Sequence, residues 1–429
     1  MENFITKARL VLQDKGLRGR IIFTVAALIA FRALAAIPIP GINTLQLNAL
    51  FANNQLFGLF NVFSGGGLSN LSIVMLGVGP YITGSIIMQL LTLMSPRLKA
   101  MYQEEGEAGK MRFALYSRWI TLPLALLQSF GFLVLLQRSG IVAGSIGTFD
   151  FIRNMLVISA GSILLVWIGE LISEFGLGNG ISLLIFAGII AHLPSTVGQI
   201  YASTVTFDPT LVLTYVGLLA AVLVLIWAVV LITEAERPIP VTYAKRVRGM
   251  KVYGGTSTYL PLRLNQAGVI PIIFALSILL FPPMVLNFVL SLTHNAIVTS
   301  ISNIIITALS PTGVIYAVLY FLFVFLFTYF YTAVTFDPDQ IATNLQKNGA
   351  FIPGVRPGKP TADYVTKILT RLTLFGALFL GIIAVLPLVV RALTGLTYLT
   401  VGGTALLIVV SVVLDLMKKI DAQVSLREY

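Results

Sequence analysis

The chain of 429 residues contains no cysteine and only two histidines. Disulfides and thiolate metal sites are thereby excluded, and imidazole chemistry has little material to act with. Charge is scarce too, since Asp, Glu, Lys and Arg make up 10% of residues against about a quarter in an ordinary soluble domain. Hydrophobic residues reach 57% and mean hydropathy is +0.93. A water-soluble globule, a disordered chain and a fibrous repeat are all ruled out. The remaining charge leans cationic, with 28 Lys and Arg against 17 Asp and Glu and a formal net charge of +11. A greasy chain with basic connections reads as a polytopic membrane protein. Enzyme motifs are missing as well. Gly354 to Thr361 lacks the first glycine and the Ser/Thr spacing of a phosphate-binding loop, and Gly176, Gly178 and Gly180 do not fit the dinucleotide fingerprint. No HExxH or GxSxG occurs. No catalytic residue, cofactor or metal is expected, and any directed work must be powered by a partner.

Crossing about 30 Å of hydrocarbon takes about 20 mostly apolar residues. Ten runs qualify, near residues 21–39, 72–94, 113–137, 152–173, 181–200, 211–233, 268–290, 313–335, 371–391 and 397–416. With the N-terminus inside, every Lys and Arg falls in an inner connection or tail except Arg32, Arg118, Arg138, Arg153 and Arg391. Short cationic loops resist translocation, so both termini are placed in the cytoplasm. Residues 1–20 are then an inner N-terminal segment and 417–429 an inner tail. The basic start, the apolar run from Ile21 and Ala33-Leu34-Ala35 imitate a cleavable signal. Arg32 interrupts that pattern, and Pro38-Ile39-Pro40-Gly41 reads better as a helix stop.

Ten spans divide into halves at 21–200 and 201–416. Because five is odd, a duplicated half inserts upside down relative to the first. Spans broken by Pro or Gly at matching positions point to the working interface of such proteins. Spans 2 and 7 match in this way. Span 2 holds Gly77, Gly79, Pro80 and Gly84 with polar Thr83, Ser85 and Gln89, and span 7 holds Pro271, Ser277, Pro282 and Pro283. The blander reading is that Pro and Gly are simply common in membrane helices, as Pro123 and Pro387 illustrate.

Between spans 1 and 2, Gly41 to Leu71 is too interrupted to cross and too apolar to be a solvated loop. Its stretch at about 56–68, with Phe57, Gly58, Leu59, Phe60, Asn61, Val62 and Phe63 before Ser64, Gly65, Gly66 and Gly67, reads as a re-entrant segment received by a cavity. The alternative is an amphipathic segment lying flat on the outer surface. Apart from Arg153, Arg371 and Arg391 at span ends, charges inside spans are few, namely Arg32, Arg118, Glu170 and Asp415. Interhelical or interfacial pairing suits them better than proton relay. Two inner loops are long, at about 234–266 and 337–370. The first carries Arg248 and Lys251 and an alternating pattern with Gly254-Gly255, which suggests a hairpin. The second has a helix-like stretch from Gln340 to Gln346, then a Pro/Gly-stiffened tip with Arg356 and Lys359. Such tips suit an acidic or phosphate-rich partner such as RNA.

Several strings then converge: Phe63-Ser64-Gly65-Gly66, Pro80-Tyr81-Ile82, Ser85-Ile86-Ile87, Gln89-Leu90-Leu91, Gly178-Asn179-Gly180-Ile181-Ser182, Glu236-Arg237, Ala267-Gly268-Val269-Ile270-Pro271, Gly354-Val355-Arg356-Pro357-Gly358 and Gly402-Gly403-Thr404 with Leu406-Leu407-Ile408. The chain resembles the SecY family of bacterial protein-conducting channels over nearly its whole length. The resemblance implies an all-α polytopic membrane protein, two inverted five-helix halves around an hourglass pore. It makes the re-entrant segment (Phe57, Leu59, Phe60, Asn61, Phe63, Ser64, Gly65 and Gly66) a plug. Spans 2, 3, 7 and 8 become a lateral gate with Thr83, Ser85, Gln89 and Ser277. The constriction is placed at Ile82, Ile86, Ile185, Ile189, Ile273 and Ile408, since a narrow apolar ring dewets and blocks ions. For each isoleucine alone, core or lipid packing explains as much. By resemblance, Arg248, Lys251, Arg356 and Lys359 dock a ribosome, including its rRNA, or the SecA motor ATPase. The small subunits SecE and SecG, signal sequences, translocating polypeptides and lipids complete the partners, in a bacterial cell membrane. A secondary transporter of a small or lipidic solute, or a structural scaffold, are the competing readings.

Overall fold

The computed structural model describes residues 14–40, 67–68, 70–138, 147–204, 209–243, 246–248, 251–253, 257–292, 296–310, 313–394 and 402–425. Helix α1 (Lys15–Ala35) starts where Asp14 Oδ1 accepts from Gly16 N at 2.9 Å. It ends before the expected Pro38-Ile39-Pro40 stop. The second span differs from its sequence reading. Residues 73–78 form turns, and α2 (Gly79–Met94) begins only at Gly79-Pro80. Proline suits a first helical turn because the N–H it lacks would go unused there. Gly77, at φ +57°, supplies the left-handed residue that the preceding turn needs. The irregular backbone is satisfied from neighbouring segments: Ser162 Oγ donates to Gly77 O at 2.6 Å and Ile73 N to Ile37 O at 3.0 Å. A Cβ on Gly161 would collide with the Ile73 carbonyl, so this stretch lies directly on the small-residue face of the fourth span.

A short helix α3 (Pro96–Gln103) precedes α4 (Gly106–Arg138), α5 (Thr148–Phe175), α6 (Gly180–Thr204) and α7 (Pro209–Glu234). The second half holds α8 (Ile270–Leu292), α9 (Ala296–Ala308), α10 (Val314–Thr335), α11 (Pro338–Lys347), α12 (Lys359–Thr394) and α13 (Gly402–Ser425). Spans 1 to 10 thus correspond to α1, α2, α4, α5, α6, α7, α8, α10, α12 and α13. Among the described residues, four stretches are long and apolar enough to qualify as spans on their own, at 106–134, 148–175, 314–347 and 359–390. Helix α8 carries Pro282 and Pro283 inside it, and α2 has 16 residues.

Within the first half α2 packs on α4, α4 on α5, and α5 on α1 and α6. In the second half α10 packs on α8 and α12, and α13 on α7 and α12. The halves meet along two seams. On one, α8 lies against α2 and α4; on the other, α6 lies against α13. The largest apolar cluster draws buried side chains from both halves.

The two long loops join into one platform. Strands β1 (Glu236–Tyr243), β2 (Arg246–Arg248), β3 (Lys251–Tyr253) and β4 (Ser257–Arg263) come from the first, and β5 (Ala350–Phe351) from the second. The three-stranded order is β4-β1-β5, with Thr242 opposite Phe351. The expected hairpin exists as two nested pairs, β1 with β4 and β2 with β3. In the inner pair Arg248 lies opposite Lys251, and Gly254-Gly255 lies outside the described residues. Ile239, Val241, Leu262, Ile352, Val365 and Ile368 give this platform a core of its own.

Candidate pore and gate

Ile82 and Ile86 lie one turn apart on α2, and Ile185 and Ile189 one turn apart on α6, so each pair shares a helix face. Ile273 sits in the first turn of α8, beside the seam, and Ile408 on α13. All six are 2–9% exposed and belong to the same apolar cluster. Neither half alone supplies the set. The start of α6 is fixed locally: Asn179 Oδ1 accepts from Ser182 N at 3.2 Å, and Gly180 N donates to Ser173 Oγ at 2.8 Å. Gly180 also crosses α5 so closely that a Cβ there would overlap the Gly169 carbonyl. The Gly178-Asn179-Gly180 string therefore sets the height at which Ile185 and Ile189 enter the cluster.

A cleft of about 310 Å³ opens at the end of the bundle where α6 and α8 begin and α13 ends. Its polar lining includes Asn179, Ser182, Asn265, Gln266, Ser411 and Asp415. Asn265 Nδ2 donates to Gly268 O at 3.2 Å, whereas Asn265 Oδ1 and Ser411 Oγ are buried with no partner among the described residues. Two further lining residues, Leu183 and Val412, are members of the apolar cluster that holds the six isoleucines. The cleft therefore adjoins that cluster. This cleft was not legible in the sequence, because its walls come from five separate stretches.

Of the predicted gate residues, Thr83, Ser85 and Gln89 are on α2 and Ser277 is on α8, and those of α2 bond along their own helix. Thr83 Oγ1 donates to Gly79 O at 3.0 Å and Gln89 Nε2 to Ser85 Oγ at 3.3 Å, while Ser277 is half-buried on α8. Gln89 Oε1 is buried without a partner among the described residues. Arg118 and Glu170 form an ion pair joining α4 to α5, the interhelical pairing expected of them. Asp415 pairs with Lys419 at 3.0 Å along α13.

On the platform, Arg356 and Lys359 are exposed. The turn that presents Arg356 is braced by Thr361 Oγ1, which donates to the Arg356 carbonyl at 2.8 Å, and is bounded by Gly354 and Gly358 at φ +81° and +95°. Arg248 ends β2 and Lys251 begins β3; their side chains lie outside the described ones. The plug residues Phe57, Leu59, Phe60, Asn61, Phe63, Ser64, Gly65 and Gly66 lie outside the described residues.

The family model for SecY matches residues 72–417. The chain belongs to the SecY family. Protein translocase subunit SecY of Mycobacterium bovis is 40% identical over 443 residues, covering 99% of this chain and 98% of that one. The SecY subunit of Synechococcus elongatus is 43% identical, covering 97% and 94%. A solved protein-conducting channel superposes with a TM-score of 0.66 at 16% identity, covering 97% of this chain and 95% of that chain. A structure concerned with the SecY plug domain gives 0.67 at 17% identity, with the same coverage. The channel of a canine ribosome-channel complex gives 0.63 at 16%. The ten-helix SecY fold is thus the fold of this chain, an all-α polytopic membrane protein.

Proposed function

We propose that the chain is the protein-conducting channel of a bacterial cell membrane, with both termini cytoplasmic. It passes unfolded secretory polypeptides through an hourglass pore and releases apolar segments sideways into lipid. The observation that carries this reading is the joint burial of Ile82, Ile86, Ile185, Ile189, Ile273 and Ile408, drawn from both halves, in an apolar cluster whose members Leu183 and Val412 line a polar cleft. A constriction of branched aliphatic side chains expels water and blocks ions, yet makes no directional bonds that a passing chain would have to break. Release through the α2–α8 seam then follows each segment's own transfer free energy, about −0.3 to −0.6 kcal/mol per Leu, Ile, Phe or Val and +2.5 to +3.5 per charge at mid-membrane.

The segment at 56–68 fits as the plug, and Thr83, Ser85, Gln89 and Ser277 as gate residues. The motor belongs to partners, a translating ribosome or SecA, with SecE and SecG as neighbouring membrane subunits. Exposed Arg356 and Lys359 on a braced turn, together with Arg248 and Lys251, supply the cations for docking. The test is photo-crosslinking. A secretory chain stalled in transit should crosslink to probes replacing Ile86 and Ile408 and not to probes at Trp167 or Trp227, which are exposed on the outside of the bundle. Crosslinks confined to Trp167 and Trp227 would overturn the conduit.

A further inference from the structure

The two halves are clasped at one end of the α2–α8 seam by a reciprocal pair of hydrogen bonds that no motif announces. Gln103, the last residue of α3, belongs to the first half. Its Nε2 donates to the carbonyl of Val334, near the end of α10 in the second half, at 2.9 Å. In return Gln340 Nε2, from α11, donates to the carbonyl of Gln103 at 3.3 Å. Both acceptors are helix-end carbonyls, which a helix cannot fill from within. For Val334 the cause is explicit: its i+4 residue is Pro338, which has no N–H. For Gln103, the chain leaves the helix through Glu104 and Glu105 and turns at Gly106, φ +65°. Each half therefore ends a helix on an orphaned acceptor, and the other half's glutamine fills it.

The clasp is held firmly on both sides. Asp337 caps α11, with Oδ1 accepting from Asp339 N at 3.0 Å and Gln340 N at 3.2 Å, which fixes Gln340 in the first turn. Opposite, Tyr102 packs its ring on Phe113 of α4 with centroids 4.9 Å apart. Burial pushes the Tyr102 phenol above the usual tyrosine range. Both glutamines are half-buried, so water competes only in part for their bonds.

We propose that Gln103 and Gln340 are positioning residues that form a latch across the gate seam, and that the latch sets how apolar a segment must be before it is released sideways. This rests on the channel reading above. Parting α2 and α4 from α8 at this end breaks both bonds and exposes two unfilled carbonyls. A segment with a marginal preference for lipid fails to pull them apart, whereas a strongly apolar one succeeds. Each neutral hydrogen bond shifts the closed-to-open ratio by about two- to tenfold.

The native chain has no cysteine, so spin labels on Lys99→Cys in α3 and Asn344→Cys in α11, both exposed sites, report the separation of the halves directly. In the complete channel reconstituted in nanodiscs, Gln103→Ala and Gln340→Ala should each lengthen or broaden that distance. In a release assay, each should raise the odds of lateral release of a marginally apolar segment about two- to tenfold, while release of a strongly apolar segment stays unchanged. Gln103→Lys, which keeps a donor for Val334, should move both readouts back toward the wild type. An unchanged distance in both alanine variants overturns the latch. A lengthened distance with unchanged odds overturns its role in the threshold. Wild-type protein that releases neither segment overturns the channel reading, and in that case the label distance alone decides whether the clasp exists.

Discussion

Replacing all six isoleucines of the proposed constriction by alanine separates a conduit from a solid core. Each side chain is 2–9% exposed. In a tightly packed interior an Ile→Ala change costs about 2–5 kcal/mol in transfer and cavity terms. Six such changes would sum to about 12–30 kcal/mol, at or beyond the 5–15 kcal/mol that holds a typical folded protein together. A solid bundle would not survive that. A ring whose members meet one another across a path, held in place by helices packed elsewhere, gives a different outcome. The helices also pack at α2–α4, α5–α6 and α10–α12, and none of the six isoleucines lies on α4, α5, α10 or α12. The sextuple variant should therefore assemble, run as a single species on size exclusion, and melt within about 10 °C of the parent. Reconstituted in planar bilayers, it should conduct ions in the resting state, because a wider and less apolar constriction wets. Loss of assembly with no leak in the protein that remains would refute the conduit argument, since it is the result that close core packing demands.

Gly180→Ala should displace α6, because the new methyl meets the Gly169 carbonyl; a lower melting temperature with a resting ion leak is the expected pair of results. Arg118→Leu and Glu170→Leu should each destabilise by only about 0.2–1 kcal/mol, because the Arg118 side chain is half exposed and the pair is partly screened, and the double variant should lose no more than either single one. A double-mutant cycle on thermal denaturation checks this. Arg356→Glu should weaken binding of a ribosome or SecA without altering the melting temperature, as Arg356 is exposed. Thr361→Val, which removes the brace on the Arg356 carbonyl, should weaken the same binding less. Binding by the parent should fall steeply with added salt, as phosphate contacts do.

Hydropathy located every span because it reports on length and composition, but it misplaced ends wherever a tertiary partner decides them. Residues 72–78 are apolar enough to continue a helix. They form turns because Ser162 and Ile37 offer partners that a helix would otherwise supply. The inner end of span 9 is the opposite case: α12 starts at Lys359, well before residue 371, since its first turns cover the platform through Val365 and Ile368. The i, i+4 pairs Ile82–Ile86 and Ile185–Ile189 were visible as helix faces. That they share a cluster with Ile273 and Ile408 was given only by family resemblance. Pairing of β1 with β5 joins residues more than a hundred positions apart, and the Gln103 and Gln340 bonds bridge even longer separations. No local pattern encodes such contacts.

The placement of polar groups along the gate seam fits this division of labour. A seam that must open into lipid cannot be held by many bonds between its two sides, because each would be broken in a medium without water to replace it. Thr83, Gln89 and Thr92 instead spend their donors along α2 itself, on Gly79 O, Ser85 Oγ and Gln89 O. Those bonds survive when α8 moves away. The surface uncovered along the membrane-embedded seam is then largely apolar, and acyl chains or an arriving apolar segment cover it again at little cost. The cross-seam hydrogen bonds of Gln103 and Gln340 sit at the end of the seam beside the β-sheet platform, where water reaches the parted groups. The proposed gate would open for whatever apolar surface fills it and close when that surface leaves, and the proposed latch of Gln103 and Gln340 would set its threshold outside the hydrocarbon.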